Sequence, residues 1–304
     1  MPKIVDGKVA IVTGAGRGIG RGIAMLMAQE GARVVVCDIG ASLDGAGTDT
    51  SPAHDVVAEI KAAGGEAIAT TLSISEPANG DKIVQMALDA FGRVDVLVNN
   101  AGILRDRIFH RMSWSDWNDV INVHLNGSFI MSRACATHFR EQGSGSYVHM
   151  TSTSGLVGNF GQANYAAAKM GIVGLSRGIA LDMARFHVRS NCIAPFAWTR
   201  MIDSIPAETE AEKARVARFR EMTPEKIAPL AVYLASDRAD GVSGQIFSVR
   251  NNEIYLFNQT RPIRTLHRSD GWTPEKLDAQ LKGAFAASFT PLDRSTDVFS
   301  WDPV

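Results

Sequence analysis

Cysteine is scarce in this chain. Cys37, Cys135 and Cys192 are scattered, odd in number and without metal-ligand spacing. That excludes a disulfide framework and a thiolate metal centre, and predicts reduced core residues and no metal. No uninterrupted apolar run is long enough to span a bilayer, so no membrane partner is expected. The net charge is only −1, which leaves no basic footprint for nucleic acid or an anionic surface. Internal repeats and low-complexity segments are also missing, which argues against a solenoid. MPKIVDGKVA lacks a signal-peptide layout and WDPV matches no peroxisomal or reticular address, so the expected location is cytoplasmic. What remains is 304 residues with 45% apolar and 21% charged content, a globular composition with ample length to bury a core.

Short apolar, β-branched runs alternate with stretches of helical periodicity. KVAIVT (8–13) leads directly into GAGRGIG, a helix follows until Gly31, and RVVVCD (33–38) is the next strand. A glycine-rich turn between strand and helix lets backbone N–H groups approach a phosphate at the helix N-terminus. Asp38 ends the second strand 18 residues beyond Gly20, where a carboxylate accepts from ribose hydroxyls and repels a 2′-phosphate, so NAD is favoured over NADP. The Gly- and Ser-rich stretch 39–54 reads as a surface loop without a legible function. Further strands are expected in EAIATTLSIS, VDVLV, SYVHMTS, VRSNCIAP and SGQIFSV. Helices are expected near 53–63, 78–91, 113–139, 165–185 and 224–236. Segment 196–223 is polar and poorly periodic and reads as a lid. The tail, 251–304, carries a strand in EIYLF and a helix from Thr273-Pro274.

This alternation predicts an α/β, Rossmann-like, doubly wound parallel sheet of seven strands in the order 3-2-1-4-5-6-7. It forms a single catalytic domain over 1–250 with a C-terminal extension over 251–304. Gly14–Gly20, Asp38, Asn99–Gly102, Ser152 and Pro195 all fall at carboxyl ends of strands, where such sheets bind ligands.

STSGLVGNFGQANYAAAK (152–169) holds the reactive groups. Tyr165 and Lys169 are four residues apart in a helix-forming run, so they share one face. A cation beside a phenol favours its ionised form and turns it into an acid/base near neutral pH. A half-buried aromatic and a solvated charge is the bland account of an isolated YxxxK.

TGAGRGIG (13–20), Asp38, NNAG (99–102), Ser152 thirteen residues before Tyr165, YAAAK (165–169) and IAP (193–195) together resemble the short-chain dehydrogenase/reductase family over residues 7–250. VHLNGSF, GNFGQANYAAAKMG, IAPFAWTRM and PEKIAPL resemble its branch of (3R)-hydroxyacyl-CoA dehydrogenase modules of peroxisomal multifunctional enzymes. The resemblance implies that Tyr165 is the acid/base, Lys169 lowers its pKa and holds the nicotinamide ribose, and Ser152 hydrogen-bonds the reacting oxygen. It implies that Gly14, Arg17, Gly18, Ile19 and Gly20, with Asp38, Ser73, Ile74, Asn99, Ala101 and Gly102, hold the adenosine and phosphate side of NAD. Pro195 and Thr199 would hold the nicotinamide end.

Three positions depart from the wider family: His124 stands for Asn, Ser73 for Asp and Phe196 for Gly. His124 reads either as a proton-relay group or as a packed core histidine. The implied substrate is a small-molecule secondary alcohol or ketone, foremost a (3R)-hydroxyacyl-CoA, with a steroid or other bulky alicyclic alcohol as the alternative. A binder that had lost catalysis would have no need of an intact Ser152, Tyr165 and Lys169. Arg200, Lys213, Arg215, Arg261, Arg264 and Arg268 could meet coenzyme A phosphates, or form a solvated face. The family implies a homotetramer or homodimer through the helices near 113–140 and 164–185.

Overall fold

The apolar runs become strands with both faces covered. A computed structural model describes residues 3–42, 44–197 and 209–303, with the backbone only at 211, 212, 214 and 215. The chain runs β1 (Val9–Thr13), α1 (Gly18–Gln29), β2 (Arg33–Cys37), α2 (Ser51–Ala62), β3 (Ala67–Thr70), α3 (Pro77–Phe91) and β4 (Val96–Asn99). It continues through α4 (Trp114–Ile121), a π-helical turn (Asn122–Asn126), α5 (Gly127–Gln142), β5 (Gly145–Met150), α6 (Thr153–Leu156) and α7 (Ala163–Met183). Then come β6 (Val188–Phe196), α8 (Glu210–Arg220), α9 (Ala228–Ala235), β7 (Ile246–Arg250), β8 (Glu253–Leu256), α10 (Pro274–Phe285) and α11 (Ser295–Val298).

Among the described residues the strands form one sheet, ordered β3-β2-β1-β4-β5-β6-β7-β8. Successive side chains point to opposite faces. Thus Ala10, Val12, Val34, Val36 and Val98 pack on one face with Ile23, Met27 and Leu234 of α1 and α9. Val9, Ile11, Val35, Leu97 and Tyr147 pack on the other with Ile83, Met131 and Phe139 of α3 and α5. Burial on both faces is why these strands read as continuous apolar runs rather than as alternation.

Three features differ from the sequence reading. The sheet has eight strands rather than seven, because the tail run EIYLF turns back and pairs antiparallel with β7, Ser248 opposite Tyr255. The turn is only Asn251-Asn252, and Asn251 adopts the left-handed region at φ 55° that a two-residue hairpin demands. The single helix expected over 113–139 is α4 and α5 joined by the π turn, begun by a capping box in which Ser113 Oγ accepts from Asp116 N at 3.1 Å. Residues 210–220 are helical despite weak periodicity. Their Ala, Glu, Lys and Arg are strong helix formers, and Lys213 pairs with Glu210 at 2.8 Å. The remaining lid positions, including Trp198, Thr199, Arg200, Met201 and Ile202, lie outside the described residues.

Candidate active site

The parallel strands bring five sequence segments to one edge. After β1 the chain turns through Gly14–Gly18 into α1. A Cβ on Gly20 would lie 2.1 Å from the Gly14 carbonyl oxygen, so only glycine lets the helix start this close to the turn. The Asp38 carboxylate fixes that turn, accepting from Gly16 N and Gly40 N at 2.7 Å each. A cavity of about 830 Å³ opens here. Gly14, Arg17, Gly18 and Asp38 form one wall, and Ser73, Ile74, Ala101 and Gly102 form others. Of the remaining expected positions, Ile19 packs against the core instead. Pro195 is not among the residues that line it and pairs in β6 with Val249 of β7. Thr199 lies outside the described residues.

The loop after Asp38, unreadable in the sequence, lines the same cavity through Ser42, Asp44 and Gly45. Asp49 N bonds Ile39 O at 3.1 Å and Arg17 pairs with Asp49 at 3.6 Å, which ties the loop to the glycine turn. A Cβ on Gly45 would lie 3.2 Å from Ile103, so the loop reaches across the opening. Arg105 and Asp119 complete the rim as a pair at 3.5 Å.

Asn99 does not line the cavity. Its side chain is buried below it, donating to Ser132 Oγ at 3.0 Å and facing His149 Nδ1 at 3.1 Å. Accepting at Nδ1, His149 donates to Ser190 Oγ at 3.2 Å, and Ser190 meets Ser176 at 2.9 Å. Strand alternation explains the inversion, since it is the next residue, Asn100, that faces the opening. Asn100 Nδ2 donates to Thr13 O and Gly14 O at 3.0 Å each, while Thr13 Oγ1 accepts from Asn100 N and Ala101 N. The motif braces the glycine turn as well as lining the cavity.

Ser152, Tyr165 and Lys169 lie beyond Gly102 and His124. Ser152 lies two residues past β5 and caps α6, its Oγ accepting from Ser154 N at 3.1 Å. Asn164, fully buried, holds the start of α7 in place by donating to Arg105 O at 2.9 Å and Asp116 O at 2.8 Å, a clamp the sequence reading missed. Lys169 is buried, and its Nζ donates to Met150 O at 2.7 Å while lying 5.5 Å from the centre of the Tyr165 ring. Burial pushes the Tyr165 phenol up to about 12, opposed by the Ser152 hydroxyl and reinforced by Asp106. Burial also draws Lys169 down to about 7. The expected lowering of the phenol by Lys169 is therefore absent here. The helical spacing brings the two side chains together, but the ammonium is spent on a backbone carbonyl and desolvation dominates.

His124 connects the two regions. It is buried, and its Nε2 lies 2.8 Å from Ile103 O. Its ring meets that of Tyr165 edge-on at 5.1 Å. A Cβ on Gly102 would sit 2.2 Å from His124 Cε1, so the glycine is what lets the imidazole in. Burial and the Lys169 charge hold His124 down to about 3, so the ring is neutral. Nε2 also lies 3.1 Å from Ile103 N, and Nδ1 is buried without a partner among the described residues.

A family profile described as short chain dehydrogenase matches residues 8–209. The chain belongs to the short-chain dehydrogenase family. Peroxisomal multifunctional enzyme type 2 of Mus musculus is 41% identical over 278 residues, covering 91% of this chain and 36% of that enzyme. The chain thus spans about a third of that relative's length. Hydroxyacyl-CoA dehydrogenase ChsB1 of Mycobacterium tuberculosis is 38% identical over 297 residues, covering 93% of this chain and 90% of that enzyme. Among solved structures, a short chain dehydrogenase from Mycobacterium avium superposes with a TM-score of 0.82 at 38% identity, covering 95% of this chain and 98% of that one.

The cavity of this short-chain dehydrogenase fits a nicotinamide cofactor on its own terms. It has the volume of a small-molecule site, a helix N-terminus at its floor and a glycine turn that no side chain could replace.

Proposed function

We propose that this chain is an NAD-dependent oxidoreductase that interconverts a (3R)-hydroxyacyl-CoA and its 3-oxo thioester. The observation that carries the reading is the continuity from the Asp38 cavity through Gly102 and His124 to Tyr165. When bound, the nicotinamide supplies the hydride acceptor or donor. Tyr165 is protonated at neutral pH, so it is poised to give its proton to the ketone oxygen in reduction, whereas oxidation of the alcohol would first require the phenol to lose that proton to solvent. Ser152 Oγ accepts from its own turn, which leaves its O–H to donate to the reacting oxygen. Lys169 uses one of three N–H donors on Met150 and keeps the others for the nicotinamide ribose. Gly14, Arg17, Gly18 and Gly20 would hold the phosphates, with Ser73, Ile74, Ala101 and Gly102 around the adenosine.

NAD rather than NADP follows from charge. Arg17 is paired with Asp49 and Arg105 with Asp119, so Asp38 and Asp44 leave the cavity net acidic and hostile to a 2′-phosphate. The thioester is favoured by the likeness to a hydroxyacyl-CoA dehydrogenase along nearly the whole chain. We read the exposed apolar residues Trp114 (75% exposed), Phe129 (54%) and Leu181 (73%) of α4, α5 and α7 as a contact between copies in a homodimer or homotetramer. Among the described residues no helix is long and apolar enough to cross a membrane.

The test is initial-rate reduction of NAD and of NADP with a (3R)-hydroxyacyl-CoA, its (3S) epimer and estradiol. Turnover of the (3R) thioester with NAD is expected. Turnover of estradiol alone, or a preference for NADP, would overturn the corresponding half of the reading.

A further inference from the structure

The chain leaves the cofactor cavity at Arg105 and passes the reactive groups before it reaches α4. Asn164, beside Tyr165 at the start of α7, donates to Arg105 O at 2.9 Å. Asp106 accepts from Gln162 Nε2 at 2.8 Å, and its charge adds to the rise that burial imposes on the Tyr165 phenol. Arg107 N donates to Gly161 O at 2.8 Å. Residues 105–107 are thus fastened to the start of the Tyr165 helix and to the loop between Ser152 and Tyr165.

Beyond this anchor comes a tight turn, Phe109–Arg111, in which Arg111 N bonds Ile108 O at 2.9 Å. It has three residues per turn, so Ile108 and Arg111 share one side. Ile108, Phe109 (73% exposed) and Phe160 (77%), the neighbour of Gly161, are exposed around the Arg107–Gly161 bond. Arg107 and Arg111 are exposed among them. Large exposed apolar groups gathered beside charge mark an interaction site.

Other cations are committed to carboxylates. Lys213 and Arg268, which the sequence offered for coenzyme A phosphates, pair with Glu210 and Asp270 at 2.8 and 2.7 Å. Arg105 pairs with Asp119, and Arg294, which lies over Phe160, pairs with Asp297. Among the described residues Arg107 and Arg111 have no ion-pair partner. Asp116, held low by Ser113 and then by the charges of Arg107 and Arg105, spends its carboxylate on Ser113 N and Oγ at 3.0 and 2.8 Å.

Two unpaired guanidiniums beside exposed aromatic rings suit a phosphorylated nucleotide. We propose that residues 107–111 and Phe160 hold the nucleotide end of coenzyme A. Arg107 and Arg111 bind its phosphates, and Phe109 and Phe160 pack against its adenine. The pantetheine arm passes back along the Arg107–Gly161 bond and brings the 3-oxo group to Ser152 and Tyr165. The cofactor cavity takes no wall from residues 107–111 or from Phe160, so the two nucleotides occupy different places. The inference rests on the thioester reading of the function and adds where that substrate is held.

The test compares the intact protein with the double variant Arg107→Ala with Arg111→Ala, the same pair changed to Lys, and Phe109→Ala. Three substrates separate the parts of the ligand: acetoacetyl-CoA, its 3′-dephospho form, and acetoacetyl-N-acetylcysteamine, a thioester of the same acid without the nucleotide. The double alanine variant is expected to raise KM for acetoacetyl-CoA about tenfold with kcat within about twofold, the signature of lost ground-state binding. KM for the acetylcysteamine thioester and NADH affinity by fluorescence should stay within about twofold. Removing the 3′-phosphate should raise KM about threefold in the intact protein and by less than about twofold in the double alanine variant. The lysine pair should lose less than the alanine pair, and Phe109→Ala should raise KM for acetoacetyl-CoA about threefold.

An unchanged KM for acetoacetyl-CoA, or an equal rise for the acetylcysteamine thioester, would overturn the nucleotide site. So would a preference for a carrier-protein thioester that the double alanine variant loses, since the patch would then be a protein contact. Should the intact protein bind NADH yet reduce none of the three, the thioester reading fails by itself. Calorimetric titration with coenzyme A then decides the site. Binding that the double alanine variant weakens about tenfold upholds it, and absent or unchanged binding removes it.

Discussion

Tyr165 and Lys169 sit four residues apart on α7, yet desolvation rather than their pairing sets their protonation. The phenol is pushed up to about 12 and the amine down to about 7. Tyr165→Phe keeps the ring and its contact with His124, so we expect turnover to fall by about a thousandfold while NADH fluorescence titrations stay unchanged. A parallel loss of NADH binding would mean that the hydroxyl is structural. Gly102 and His124 are a second coupled pair. Gly102→Ala drives a methyl into the imidazole and is expected to cost about 1–3 kcal/mol in urea unfolding. Gly102→Ala combined with His124→Ala should be less destabilised than the two single losses summed, by at least about 0.5 kcal/mol. Strict additivity would show that the two do not meet as described. At this scale the nearness of Tyr165 and Lys169 was legible, because four residues apart on a helix places them on one face. Asn99 was not, since NNAG does not say which of two adjacent asparagines faces the opening. Asn164 carried no signal, because its partners are backbone carbonyls far away in sequence.

Strands and helices were legible wherever one local rule governed them. Apolar runs gave the parallel strands, and Ser113, Pro274 and the glycines marked helix boundaries. The β7–β8 hairpin was a missed turn signal: Asn251-Asn252 between two apolar stretches is the chemistry of a two-residue loop. Asn251→Val would force a β-branched residue into the left-handed region and remove the bond that Lys226 makes to Asn251 Oδ1. We expect a loss of about 2 kcal/mol, read by urea unfolding, whereas Asn251→Gly should cost less than half as much. Equal costs would place the energy in the Lys226 contact rather than in the turn. The π turn left no mark in the sequence, because α and π hydrogen bonding use the same residue types. What selects it is tertiary: Gly127 closes against Ile74, and Ser128 Oγ bonds His124 O at 2.6 Å.

Across the whole molecule, two buried imidazoles make stability depend on pH. His124 and His149 are both held down to about 3 by burial and the Lys169 charge. They are neutral when folded and regain an ordinary pKa of about 6.5 when unfolded, so the unfolded chain binds more protons between these values. Stability should fall as pH drops from 6.5 toward 3, by on the order of 1–2 kcal/mol per histidine at pH 5. Lys169 acts in the alkaline window. Its folded value near 7 lies below the ordinary 10.4, so stability should rise between those limits. Urea unfolding at pH 7 and 5 checks the first window, and His149→Gln should flatten the slope. An unchanged slope would mean that the ring is already protonated in the fold.

The π turn also bears on how long this chain can be at one point. It holds one residue more than an α-helical turn. Losing one residue within 122–126 would let ordinary α hydrogen bonds re-form with α4 and α5 in nearly the same register, because the extra residue is absorbed within the one wide turn. Ser113 and Asp116 would keep their places, and Asp116 O would still meet Asn164. A helix is usually where length is free to change by a residue only at its ends, whereas here its interior has one residue to spare.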